Sequence, residues 1–360
     1  MVVGILGGGQ LARMLALAGH PLGLKFLVLD PAADVCAAPV AEQLQGAYDD
    51  EAMLARLAEK ADIVSYEFEN VPAAAVEFLA DKVPVYPPQQ ALATAQDRLF
   101  EKNLFRELGI DTPEFVAVNS LTELEQAMEL VGWPAVVKTR TQGYDGKGQA
   151  VLSEPKDLAS AWQSLGGVPA IVEAFVPFQR EVSIIAVRST TGEKVCYPLT
   201  ENTHREGILR LSIARPDDAM QAKAVDYAER LLDKLDYVGV LALELFQSGE
   251  QLLANEFAPR VHNSGHWTQD GAETSQFENH LRAVLGLPLG ATDTVGYTAM
   301  VNLIGVIPPT EDVLVNTHSH LHLYGKEPRP GRKVGHINLC AQSRQELEAE
   351  LKLILKLAGE

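Results

Sequence analysis

Cysteine is scarce in this chain of 360 residues: Cys36, Cys196 and Cys340 stand far apart, with no CxxC and no even set to pair. That excludes a small disulfide scaffold, argues against a structural zinc site and suits a reducing, cytoplasmic setting. No uncharged apolar run approaches the roughly 18 residues of a membrane span, so no membrane partner is expected. The opening MVVGILGGGQLARMLALAGH lacks an early positive region, and Gln10 and Arg13 interrupt it, so it reads as folded structure rather than a leader. Basic residues are in the minority, 30 against 48 acidic, for a net charge of −18. A field of that sign repels nucleic acid, and an anionic ligand must then be held by a local basic cluster. With 47% apolar and 22% charged residues the composition is that of a globular protein, and the length calls for two or three domains.

Residues 2–6 (VVGIL) form an apolar run that ends at Gly7-Gly8-Gly9. A helical pattern to Ala18 follows, and then the run KFLVLD ending at Asp30. That is a βαβ unit, and with ADIVSYEFEN and VPVYP as further strands the first 90 or so residues read as a doubly wound α/β domain. Ala91 to Leu108 has helical periodicity, with Gly109 as its stop. WPAVVKTR, AIVEAFV and EVSIIAVR read as strands, residues 238–257 as a hairpin around Ser248-Gly249, and the last 70 residues as strands with a closing helix.

Three features carry chemistry. The turn Gly7-Gly8-Gly9-Gln10-Leu11-Ala12 satisfies GxGxxG/A with Asp30 one strand on, which by itself predicts a nicotinamide-dependent oxidoreductase. Any phosphate or carboxylate can use amides at a helix start, so the signal is not specific. Lys138 lies in an apolar strand just before the loop Gly143 to Gln149, a pairing of point charge and backbone amides that suits a phosphate. Glu244 and Glu256 flank the hairpin. With a three-residue loop, Ser248 to Glu250, both point to one face and can hold magnesium; a two-residue loop separates them. Beyond them, NEFAPRVHNSGHWTQ crowds Arg260, His262, Asn263, Ser264 and His266. YGKEPRPGRKVGH gathers Lys326, Arg329, Arg332 and Lys333, suited to a phosphate monoester.

The strings GILGGGQLARML, QDRLFEK, VVKTRTQGYDGKGQ, PLTENTHREGILR, NEFAPRVHNSGHWTQ and RPGRKVGHINL run end to end through the chain. Together they resemble the ATP-grasp enzymes, and closely the 5-(carboxyamino)imidazole ribonucleotide synthases of bacterial and fungal purine synthesis. The resemblance implies a mixed α/β and α+β protein. An N-terminal doubly wound domain (1–95) would precede an ATP-grasp domain (96–290) with a mobile lid (about 119–189) and a β-rich C-terminal region (291–360).

It also implies site residues. ATP would lie between two antiparallel sheets, among Arg98, Lys138, Gly143, Tyr144, Asp145, Gly146, Lys147, Gly148 and Gln149. The adenine hinge would be Glu173, Ala174, Phe175 and Val176, with Glu181 at the ribose and His204 and Asn255 as further contacts. Glu244 and Glu256 would bind magnesium or manganese. The second substrate, 5-aminoimidazole ribonucleotide, would meet Gly9, Gln10, Leu11, Glu67, Asn70, Asn263, Lys326, Arg332 and Lys333. Asp145 would hold its amine, and Arg260 and His262 the bicarbonate-derived group. A homodimer, and hand-off of the carbamate product to a mutase, belong to the same expectation. Rival readings are a formate-using transformylase of the same fold, the oxidoreductase, and a nucleotide sensor without turnover.

Overall fold

The computed structural model describes residues 1–143 and 146–360. Strands β1 (Val2–Leu6), β2 (Lys25–Asp30), β3 (Glu42–Gln45) and β4 (Ile63–Tyr66) form a parallel sheet in the order β3-β2-β1-β4. β1 and β2 are apolar along nearly their whole length because helices cover both faces, and Val3, Ile5, Leu6 and residues 26–29 are buried. The VPVYP segment, expected as a further strand, makes one isolated bridge, Val64 to Val85. Pro84, Pro87 and Pro88 bring no N–H to a ladder, so pairing cannot extend. The expected helix from Ala91 to Leu108 is two, Gln89–Ala95 and Arg98–Glu107. Asp97 breaks it: its backbone is extended and its side chain accepts the Leu99 N–H, which starts the second helix.

The middle of the chain builds its own antiparallel sheet from β5 (Phe115–Val118), β6 (Ala135–Thr139), β7 (Gln149–Leu152) and β8 (Ala170–Ala174), in the order β5-β8-β6-β7. Helices Leu121–Val131 and Asp157–Ser164 close a separate small core of Leu124, Val137, Leu158 and Val172. The stretch expected as a lid, about 119–189, therefore divides. Residues 115–174 form this unit, whereas the next strand belongs to the largest sheet.

That sheet comprises β9 (Arg180–Arg188), β10 (Lys194–Cys196), β11 (Leu199–Arg205), β12 (Ile208–Arg215), β13 (Gly239–Ser248), β14 (Gln251–Ala258), β15 (Tyr297–Ile304), β16 (Ser319–Leu323) and β17 (Lys333–Ala341). Its order is β14-β13-β9-β11-β12-β15-β17-β16, with β10 on β9. The C-terminal strands thus extend the same sheet through the β12–β15 pair, and helix Arg344–Leu357 covers them. Among the described residues no helix is long and apolar enough to cross a membrane.

Candidate active site

The hairpin decides the placement of the two carboxylates. Ser248 pairs with Gln251, so the loop has two residues, and an unbroken register would have put Glu244 and Glu256 on opposite faces. Between Leu245–Ala254 and Glu244–Glu256 the register shifts by one residue. Asn255 is the extra residue of a β-bulge, and the bulge brings the two glutamates directly opposite each other on one face. The loop is the shorter of the two lengths weighed, and the shared face, expected only with the longer one, holds because of the bulge. Arg98 Nη1 donates to Glu256 Oε2 at 2.7 Å, and His262 Nε2 lies 3.1 Å from Glu244 Oε1. Burial would raise the Glu244 carboxyl, but the hydrogen bond and charge of His262 outweigh it and hold it at about 2. Two carboxylates side by side, hard oxygen donors, suit magnesium or manganese better than a soft metal.

These groups open onto a cavity of about 650 Å³ between the small antiparallel sheet and the large one. On the lid side it is lined by Lys138 of β6, by Gly143, Gly146, Lys147 and Gln149 of the glycine loop, and by Glu173 to Val176 at the end of β8. Gly148 stands just behind, its carbonyl accepting the Thr139 N–H at 2.8 Å. Tyr144 and Asp145 lie outside the described residues. Arg98, Glu181, His204, Asn255 and Glu256 line the other side. His204 Nδ1 is 2.7 Å from Glu181 Oε2; burial lowers the imidazole's pKa, but the Glu181 hydrogen bond and the charges of Glu244, Glu181 and Glu256 together raise it.

Lys138 donates to Glu173 Oε2 at 3.1 Å and to Asn255 Oδ1 at 3.3 Å. The same Glu173 oxygen lies 3.2 Å from Lys102, a fully buried lysine that the sequence reading missed although it sits one helical turn beyond Arg98. Burial would raise the Glu173 carboxyl, but the two ammonium groups bring it to about 2. Its other oxygen is buried without a partner, an acceptor waiting for a donor. Glu101, also missed, is buried beneath Glu256 and accepts the Phe257 N–H at 2.6 Å; burial first, and the Glu256 charge second, push its carboxyl up. Phe178 and Phe246, stacked at 4.8 Å between ring centroids, add an apolar wall that no motif announced.

The same cavity continues to Gln10, Leu11, Glu67, Asn263 and Lys333. Both polar atoms of the Asn263 side-chain amide are buried and unpartnered, so this end too lacks a ligand's donors and acceptors. Lys326 lies just outside the lining and donates to Gln10 Oε1 at 2.5 Å. Burial lowers its pKa, and the charges of Arg332 and Lys333 push the same way, a gathering of cations that an anion would relieve. Arg332 reaches the Glu327 carbonyl, and Asn70 lines a second, smaller cavity beside Arg260 and His262. The PRVHNSGH loop is braced by Gln276, fully buried: its Oε1 accepts the His262 N–H and its Nε2 donates to the His262 carbonyl. A Cβ on Gly265 would meet that amide at 2.8 Å, which explains the glycine.

The N-terminal turn is not a dinucleotide site. The Gly9, Leu11 and Ala12 amides all donate to the Glu67 carboxylate, and Asp30 accepts from Gly8 and from the Tyr48 hydroxyl. The amides that would cradle a pyrophosphate and the carboxylate that would hold a ribose are both engaged by the protein itself. Glu67, expected among the contacts of the second substrate, also caps the start of helix Gln10–Gly19.

Comparison with known proteins agrees with this geometry. Three family models match in series: the ribonucleotide synthetase preATP-grasp domain over residues 1–96, the ATP-grasp domain over 103–277, and the phosphoribosylaminoimidazole carboxylase C-terminal domain over 298–350. The chain is 55% identical to the N5-carboxyaminoimidazole ribonucleotide synthase of Pseudomonas aeruginosa over 351 residues, 98% of each chain. The chain belongs to the N5-carboxyaminoimidazole ribonucleotide synthases. It is an ATP-grasp ligase. The N5-carboxyaminoimidazole ribonucleotide synthetase structure from Thermus thermophilus superposes with a TM-score of 0.95 at 55% identity, covering 99% of both chains. The Aspergillus clavatus synthase, solved with ADP and 5-aminoimidazole ribonucleotide, gives 0.93 at 31% identity over 99% of this chain and 98% of its own.

Proposed function

We infer that this synthase uses ATP and bicarbonate to carboxylate the amine of 5-aminoimidazole ribonucleotide in purine synthesis, and that the large cavity is where both substrates meet. The observation that carries the reading is the continuity of that cavity, from the Lys138–Glu173 pair and the paired glutamates at one end to Gln10, Asn263 and Lys333 at the other. ATP lies between the two antiparallel sheets, its base against Phe178 and Phe246 and near the unpartnered Glu173 oxygen, its phosphates at Lys138 and Arg98. The ribonucleotide lies towards the N-terminal turn, its phosphate among Lys326, Arg332 and Lys333.

A bicarbonate oxygen attacks the γ-phosphorus as the bond to ADP breaks, giving carboxyphosphate. Arg260 and His262 hold the incoming acid, and Lys138 spreads the charge that builds on the phosphoryl oxygens. Glu244 and Glu256, with Asn255 beside them, would hold a magnesium or manganese ion, which when bound supplies further positive charge at the phosphates. The amine then attacks the carboxyl carbon of carboxyphosphate, or carbon dioxide released from it. Phosphate leaves, the amine loses a proton and the carbamate remains. Because carboxyphosphate reacts with water, the 115–174 unit and its glycine loop act as the closing lid, between an N-terminal domain and a C-terminal phosphate-binding region. The role that the resemblance implies for Asp145, outside the described residues, is to hold the amine. The enzyme works in the cytoplasm as a homodimer, and its unstable product passes to a mutase.

An ADP-release assay tests the reading. Release that requires both bicarbonate and 5-aminoimidazole ribonucleotide and ignores formate supports it, and release driven by formate with glycinamide ribonucleotide would replace it by the transformylase.

A further inference from the structure

Glu69 was not among the expected site residues, although it stands between Glu67 and Asn70. It comes from the loop after β4, in the N-terminal domain, and its carboxylate faces Arg260, which follows β14 of the large sheet. Both carboxylate oxygens are engaged: Arg260 Nε donates to one and Nη2 to the other at 2.9 Å. Arg260 Nη1 donates to the Val261 carbonyl at 3.0 Å. A guanidinium has five N–H groups, one on Nε and two on each terminal nitrogen. Three are thereby engaged, two of them on the edge formed by Nε and Nη2. One N–H remains on each Nη, at the free edge away from Glu69, and the two can donate to the oxygens of a planar acid.

That edge has a place to act. A second cavity, of about 60 Å³, is bounded by Glu69, Arg98, Glu244, Glu256, Arg260 and His262. About 10–15 Å³ of such space suffices for one water, so it has room for a few waters, hence for one small planar acid. The loop that carries Glu69 is fixed in turn, because Gln96 Nε2 donates to the Glu69 and Val71 carbonyls at 2.8 and 2.6 Å. Burial would raise the Glu69 carboxyl, but the Arg260 charge and hydrogen bonds hold it at about 2, so the pair stays ionised throughout the working range. The charges of Glu67 and Glu244 also act on the guanidinium, so Glu69 is what holds it in one direction.

We propose that Glu69 is the positioning residue that aims the free edge of Arg260 at bicarbonate, so that the acid meets the γ-phosphate in a fixed orientation. The inference rests on the reading of Arg260 given above. Glu69→Gln keeps the shape of the side chain and removes its charge, Glu69→Asp keeps the charge at shorter reach, and Arg260→Lys is measured in parallel. Initial rates of ADP release are recorded against bicarbonate, ATP and ribonucleotide separately, with thermal melts to confirm folding.

In Glu69→Gln the KM for bicarbonate rises about tenfold or more, the KM for ATP stays within about twofold, and Glu69→Asp recovers part of the loss. Arg260→Lys raises the same constant, and combining it with Glu69→Gln adds little, because both act through one fork. A bicarbonate KM that rises in Arg260→Lys and is unchanged in Glu69→Gln overturns the positioning role and leaves Arg260 its own. A constant unmoved in both variants removes the assignment of Arg260 and the inference with it. A melt that falls with all three KM values intact would make Glu69 structural only.

Discussion

The two glycine loops of this enzyme resemble each other in sequence and differ in what fills them. At Gly7 to Gly9 the amides are taken up within the protein, Gly7 by the Leu29 carbonyl, Gly8 by Asp30 and Gly9 by Glu67, and a Cβ on Gly7 would come within 2.5 Å of Glu67 Cγ. Around the cavity, by contrast, many charged groups meet each other through mobile side chains: Arg98 with Glu256, His262 with Glu244, His204 with Glu181, Lys138 with Glu173. Such pairs can exchange one side-chain partner for a phosphate or a cation at little net cost. Amides capped from within have no such exchange to make. The first loop therefore offers its amides to no ATP phosphate, whereas the second region has charged side chains that can turn to one.

The largest test of that contrast is Glu256→Gln. ADP formation should fall by about a thousandfold, ~4 kcal/mol of barrier, while the melting temperature hardly moves. Wild-type turnover would take Glu256 out of the machinery. Glu173→Gln should blur the contrast, because its lysine partners are buried: unfolding free energy at pH 7 drops by ~3 kcal/mol. Since the folded-state pKa is depressed, this contribution is complete above the unfolded value near 4.5 and is lost as pH falls towards about 2. Denaturant melts of wild type and variant should therefore converge between pH 5 and pH 2, and a gap independent of pH would show that charge is not its source.

Gly7→Ala sharpens the other side. Its φ of 102° and the contact with Glu67 predict a loss of about 2–3 kcal/mol in stability, with the KM for ATP unchanged in the folded protein. Raised KM for ATP without a lower melt would mean that the turn touches ATP after all. The smallest effect is expected at Gly146→Ala. There φ is 75° and a Cβ would stand 3.1 Å from Gly207, so stability should change by about 1 kcal/mol or less and the KM for ATP should rise a few-fold. An equal loss of stability at Gly7 and Gly146 would erase the distinction between the loops.

Much of the architecture was legible because it rests on local signals. Apolar runs named β1, β2, β6 and β9, the Leu-rich end named the closing helix, and the specific strings HNSGHWTQ and RPGRKVGH led to the family. The misses are equally local in cause. VPVYP looked like a strand until the missing proline donors were counted, and Asp97 looked like helix until its side chain capped the next one. Lys102 and Glu101 escaped because a charged residue in an amphipathic helix gives no sign in sequence of being buried.

The amino-acid order alone determined which side chains could do this chemistry and roughly which strand or loop would carry each, since periodicity and turn chemistry act over a few residues. It could not determine that the Gly9 amide would be given to Glu67, 58 residues away, or Arg260 to Glu69 at a separation of 191. Nor could it show that one unpaired residue, Asn255, would turn Glu244 and Glu256 to the same face. Those outcomes depend on register and on contacts between distant segments, and only the folded chain, where each buried donor must find its acceptor, decides them.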